Sequence, residues 1–143
     1  MKDPFQLGLS ILVCTVLVGC GGSAGRQTQS REEASKAYQE GLAALENGDY
    51  QSAAEKLKSA LEGGWLGYSS ANARVKLAIA NTALGDFDSA HALLDLAEAG
   101  EGNKDTVLAV RSLVYEKQGK QKESQSAWSR ARRINRRVKK VKL

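Results

Sequence analysis

From Ser30 onward, apolar residues recur at three- and four-residue steps, the spacing that gathers them on one face of an α-helix. Ala34, Tyr38, Gly41, Leu42 and Leu45 form the first such stripe. Ser30-Arg31-Glu32-Glu33, just before it, has the form of a capping box, in which the serine hydroxyl accepts from the Glu33 amide and the glutamate returns the bond. A helix is therefore expected to start there. Gly48-Asp49 reads as a stop followed by a new start, and Ala53, Leu57, Ala60 and Leu61 carry a second helix. The unit returns as Val75, Leu77, Ala78 and Ile79, then Gly85-Asp86-Phe87, then Ala90, Leu94 and Ala97. It returns again with Leu108, Leu113, Tyr115, Gly119, Ser124, Trp128 and Ala131, so the turn glycines Gly48, Gly85 and Gly119 stand 37 and 34 residues apart. No strand-like alternation interrupts this pattern, and the expected fold class is all-α.

The N-terminal segment follows another rule. Phe5 to Val18 is almost wholly apolar and ends in the small residues Gly19, Cys20, Gly21 and Gly22. It is shorter than the roughly 20 apolar residues a membrane-spanning helix needs, and its layout is that of a secretory signal, although Asp3 cancels the charge of Lys2. Leu17-Val18-Gly19-Cys20 resembles the lipobox of bacterial lipoproteins. The resemblance implies removal of residues 1–19, a thioether-linked diacylglycerol on Cys20 and N-acylation in many species, with residues 20–30 as a flexible tether. Several acyl chains together make such an anchor long-lived, because each buried methylene contributes about 0.8 kcal/mol. By the same resemblance Gly21 favours an outer membrane, so the expected location is the cell envelope, facing the periplasm.

Two helices per unit at a period near 34 resemble the tetratricopeptide repeat. The resemblance covers Ala34 to about Ile134, as repeats at about 34–66, 71–104 and 105–134, and rests on small and large packing residues in recurring places: Gly41, Gly48, Tyr50, Ala53, Leu57 and Ala60 in the first unit, for instance. It departs from the family where Trp65 replaces the usual proline and where the linker Gly63-Gly64-Trp65-Leu66-Gly67-Tyr68 is three residues longer. The fold implied is a superhelix of about three helix-turn-helix units.

Charge changes the picture at the C-terminus. Eight of the last fourteen residues are Arg or Lys, and without them the formal charge falls from +5 to −3. Ala131, Ile134, Val138 and Val141 continue at helical steps, so residues 130–143 are expected to extend the last helix with an apolar stripe inward. The other reading sets Arg132, Arg133, Arg136, Arg137, Lys139 and Lys140 against anionic lipid or wall polymer. The two cysteines, Cys14 and Cys20, both precede the repeats, which leaves the folded part without a thiol, a disulfide or a cysteine metal site.

What the repeat resemblance implies for function is a peptide-binding groove built by the first helix of each unit. Its positions are Tyr38, Leu42, Asn72, Val75, Ile79 and Leu113, with Ser35, Leu45, Thr106, Ala109 and Glu116 beside them. A carboxylate clamp of the kind some relatives use would fall on Tyr38, Leu42, Lys76, Thr106 and Val110, of which only Lys76 fits. His91 is the single histidine, and Glu32 with Glu33 and Glu98 with Glu101 mark helix ends rather than an acid and base pair. Neither a phosphate loop nor a Gly-x-Ser-x-Gly elbow occurs. The sequence thus points away from catalysis, cofactors and metals, and toward an adaptor or scaffold for an unidentified envelope protein. The alternative is a passive tether held by the basic tail. Export and a tail without aromatic residues argue against nucleic acid.

Overall fold

The computed structural model describes residues 22–64, 68–100 and 103–143, with side chains from residue 30 onward and, in the third helix, from residue 70. Six helices and no strand occur among them: α1 Gly22–Glu46, α2 Tyr50–Glu62, α3 Tyr68–Leu84, α4 Phe87–Ala99, α5 Lys104–Lys117 and α6 Gln121–Ile134. The helices pack in consecutive pairs, α1 on α2, α3 on α4 and α5 on α6, and the pairs stack through α2 on α3, α4 on α5 and α3 on α5.

The same turn closes each pair. Gly48, Gly85 and Gly119 take φ of 75, 83 and 77°, a left-handed conformation that glycine adopts without a Cβ penalty. In each, the amide after the glycine reaches back five residues: Asp49 N to Ala44 O, Asp86 N to Asn81 O and Lys120 N to Tyr115 O, all at 2.9 Å. Asp49 and Asp86 then cap the following helix, their Oδ1 atoms accepting from Ser52 N at 3.1 Å and Ser89 N at 3.2 Å. Lys120 holds nearly the same backbone, φ −86° and ψ 73°, with no side-chain cap.

Counted from the turn glycine, the packing positions keep one register. Seven residues earlier stand Gly41, Ala78 and Ser112; five later, Ala53, Ala90 and Ser124; nine later, Leu57, Leu94 and Trp128; twelve later, Ala60, Ala97 and Ala131. Apart from Trp128, which is half-buried in the last pair, all of these are buried. At Gly41 a Cβ would lie 2.8 Å from Leu57 Cγ, and in the last pair the buried Ser124 hydroxyl donates to Ser112 O at 2.9 Å. The main core joins Val75, Ala78 and Ile79 of α3, Ala90, Leu94 and Ala97 of α4, and Val107, Val110 and Val114 of α5.

Two expectations are corrected. The first helix begins at Gly22, not at Ser30, so residues 22–30 are helical rather than a flexible tether. No proline interrupts Ser23 to Gln29, and extending an existing helix adds one hydrogen bond per residue fixed. Ser30 sits inside α1, where its hydroxyl donates to Gly63 O at 2.9 Å and ties the helix to the end of α2. At the other end α6 stops at Ile134, and residues 135–143 do not extend it. Continuing the helix would set Arg132 over Arg136, Arg133 over Arg137 and Arg136 over Lys140, like charges four residues apart. Asn135 offers the chain another course: its backbone is extended, at φ −137° and ψ 107°, and its Oδ1 accepts from Arg137 N at 2.9 Å.

Two substitutions check this fold. Lys120→Asp supplies the cap the third turn lacks and should raise stability by about 0.5–1 kcal/mol, measured by urea denaturation. Gly41→Ala, despite the better helix propensity of alanine, should destabilise by about 1–3 kcal/mol, because the added methyl overlaps Leu57. An unchanged or higher midpoint for Gly41→Ala would contradict the close approach of α1 and α2.

Candidate binding face and basic tail

The expected groove residues divide into two groups. Tyr38, Leu42 and Asn72 are half-buried on α1 and α3, and burial pushes the Tyr38 hydroxyl pKa up. Val75, Ile79 and Leu113 are instead core residues, 5, 7 and 2% exposed, which corrects their assignment to an open contact surface. The physical reason is that α3 and α5 lie inside the stack, each with neighbours on more than one side. Among the flanking positions Ser35 is exposed, Leu45 packs against the core, Thr106 and Glu116 are half-buried and Ala109 is buried. Lys76 is half-buried on α3.

Part of the cover on α5 comes from the C-terminus itself. Asn135 Nδ2 donates to Asp105 Oδ2 at 2.8 Å near the start of α5, and Lys140 Nζ meets Glu116 Oε2 at 2.8 Å near its end. Val138, between these ties, and Val141, just after the second, pack against the cluster of Leu108, Ala109 and Ala131, beside Trp128. Val141 also touches the main core. The chain turns at Arg136 and Arg137, where Val138 N donates to Asn135 O at 3.1 Å, before it reaches Lys140. The apolar stripe read in the tail is used, but by non-helical chain packed on α5.

The six cations assigned to anionic contact are thereby separated. Lys140 is engaged with Glu116, and Arg137 donates its backbone amide into the Asn135 turn. Arg132, Arg133 and Arg136 line one cleft of about 550 Å³ with Trp128 and Ser129. Among the described residues none of these three arginines has a carboxylate within ion-pair distance. Arg132 and Arg133 also lie in the last turn of α6, where cations favour the helix dipole. Lys139 is exposed.

Two features escaped the reading of the sequence. The Arg111 guanidinium, only 15% exposed, donates to Asp95 Oδ1 at 2.9 Å and Glu98 Oε2 at 3.0 Å, and so fastens α5 to α4. On another side, Ala54, Leu61, Leu77, Leu84, Leu93 and Leu96 line a trough between α2, α3 and α4, with Leu84 and Leu96 about half exposed at 47 and 57%. Leu93 and Leu96 form a three-residue step beside the buried Leu94 and Ala97, a signal that was present in the sequence.

Other expected features have structural places of their own. The His91 ring stands 4.9 Å from that of Tyr115, with Nε2 3.3 Å from Gln118 Oε1, linking α4 to the end of α5. Among the described residues no three His, Cys, Asp or Glu side chains are grouped as a metal site, and no helix is long and apolar enough to cross a membrane. Cys14, Cys20, Trp65, Leu66 and Glu101, and the side chain of Tyr68, lie outside the described residues.

The strap has a pH signature. The hydrogen bond from Lys140, with its charge, holds the Glu116 carboxyl below the ordinary glutamate range. A lowered folded-state pKa stabilises the attached tail above the unfolded value, and this contribution is lost as pH falls through the folded one. The Val138 and Val141 methyl resonances should therefore move toward free-chain positions as the solution is acidified from the ordinary glutamate range downward. Glu116→Gln should flatten that transition, and an identical acid transition in Glu116→Gln would place its cause elsewhere. Compared with known proteins, the chain matches no family model and no curated relative.

Proposed function

We propose that the chain is a lipid-anchored adaptor of the cell envelope, built from three tetratricopeptide-type units, in which Cys20 carries the acyl anchor and the face of α1 and α3 receives a partner protein. The observation that carries the reading is the register of the three helix pairs, which keep the same turn backbone and the same small-residue positions across turn spacings of 37 and 34 residues. Stacks of this type present extended contact surfaces. Tyr38, Leu42 and Asn72 are the side chains of that face that retain exposure, and they define the contact in this reading.

The test is in-cell photo-crosslinking from Asn72, with mass spectrometry of the adducts and of the mature N-terminus. The expected result is one saturable protein adduct, lost when Tyr38→Ala and Leu42→Arg are introduced together, on a chain that begins at an acylated Cys20. Adducts indifferent to those substitutions would overturn the adaptor. An unmodified N-terminus at Met1 would overturn the anchor.

A second reading, the passive tether, is favoured by the convergence of Arg132, Arg133 and Arg136 in one cleft. Each cation close to an acidic lipid surface contributes about 1 kcal/mol, and salt screens such contacts. Under this reading, charge reversal at the three arginines should abolish sedimentation with phosphatidylglycerol vesicles at low salt. Sedimentation unchanged by the reversal would remove the tether.

A further inference from the structure

We infer that residues 135–143 are a built-in occupant of the α5 end of the binding face. The partner segment this face admits is then a short non-helical segment of the same chemistry, with aliphatic side chains three residues apart and a lysine just ahead of the second. The inference rests on the groove reading above and names both its ligand class and its regulation.

Three observations carry it. The tail reaches two positions the repeat pattern assigns to the groove: it pairs with Glu116 and packs on the cluster that contains Ala109. It crosses as non-helical chain, a turn at Arg136 and Arg137 followed by irregular backbone, tied at Asn135 and at Lys140. Its hold is also light, since Val138 and Val141 are only half-buried, Lys139 and Lys142 are exposed, and the Lys140–Glu116 pair is open to water. A segment with few buried contacts belongs to the part of a fold that opens at least cost. The recognition elements are those the tail uses: an aliphatic floor at Leu108 and Ala109, a carboxylate at Asp105 for an amide or cation at one end, and Glu116 for a lysine at the other.

A tethered segment faces its site at an effective concentration on the order of 1 mM. If the free segment binds with a Kd on the order of 0.1 mM, the tethered one fills the site about nine-tenths of the time and weakens any competitor roughly ten-fold.

The experiment uses the full chain and a fluorescein-labelled peptide with the sequence of residues 135–143, read by fluorescence anisotropy. In one variant, Val138→Asp with Val141→Asp, the strap is released while the tail keeps its length. This variant is expected to bind the peptide about ten-fold more tightly than the native chain, and Glu116→Lys added to it should weaken binding again. A peptide of the same composition with its valines adjacent should bind neither chain. Equal affinity of native and released chains, equal binding of the scrambled peptide, or a folded released chain that ignores the peptide would each overturn the inference. Should the released variant lose cooperative melting, Lys140→Glu, which keeps both valines, takes its place. Peptide binding by that variant no tighter than by the native chain would overturn it equally. The assay involves no cellular partner, so an adaptor without a captured protein and a strap that does not compete are separate failures.

Discussion

Within each helix pair the two helices meet through a small residue seven positions before the turn glycine, and that close approach is the constraint on which the rest of the structure depends. At Gly41 there is no room for a methyl group against Leu57. Ala78 fills the equivalent place in the second pair and Ser112 in the third, where two buried hydroxyls lie 3.0 Å apart. Close packing at this depth fixes how the second helix of a pair lies on the first, and so where Leu57, Leu94 and Trp128 fall against the neighbouring elements. The left-handed glycine and the aspartate cap then supply a tight reversal that leaves few backbone groups unpaired at the helix ends.

Stacking leaves the last pair with one side uncovered, and the chain closes it with its own end. Had the basic segment stayed helical, its cations would have crowded one another and its valines would have been carried away from α5. Asn135 resolves this by leaving the helix and bonding to Asp105, after which a turn at Arg136 and Arg137 and irregular chain carry Lys140 to Glu116 near the end of α5. The same segment therefore does two jobs: it shields Leu108 and Ala109 from water, and it divides the cations into one bound to protein and others turned to solvent. Arg111 secures the opposite relation, α5 to α4, through two carboxylates.

Most of the helical architecture was legible before any coordinates, because it rests on local signals. Glycine followed by aspartate marks a stop and a cap wherever it occurs, and the stripe around Leu57 and Leu94 has helical spacing. The errors came where a local signal met a longer-range competitor. Ser30 looks like a cap, yet its hydroxyl finds Gly63, thirty-three residues away, and the helix runs on through it. Val138 and Val141 keep a helical spacing, yet the turn at Arg136 and Arg137 brings both onto α5 as irregular chain. Val75, Ile79 and Leu113 share a helix face with groove positions, but periodicity cannot tell a face turned to solvent from one turned to a neighbouring pair. The outward Leu96 was visible as a second stripe, whereas Arg111 gave no sign, because its partners lie on another helix. Cys20 belongs wholly to the sequence reading.

The most direct test of the central structural claim, that a non-helical C-terminal strap covers α5, is a methyl NOESY spectrum of the full chain with labelled Ala, Leu and Val at neutral pH. The account predicts cross-peaks from Val138 and Val141 to Leu108 and Ala109, together with a slowed Val138 amide, bonded at 3.1 Å to Asn135 O. Valine methyls at free-chain positions, with tail amides exchanging as fast as those of an unstructured peptide, would contradict it.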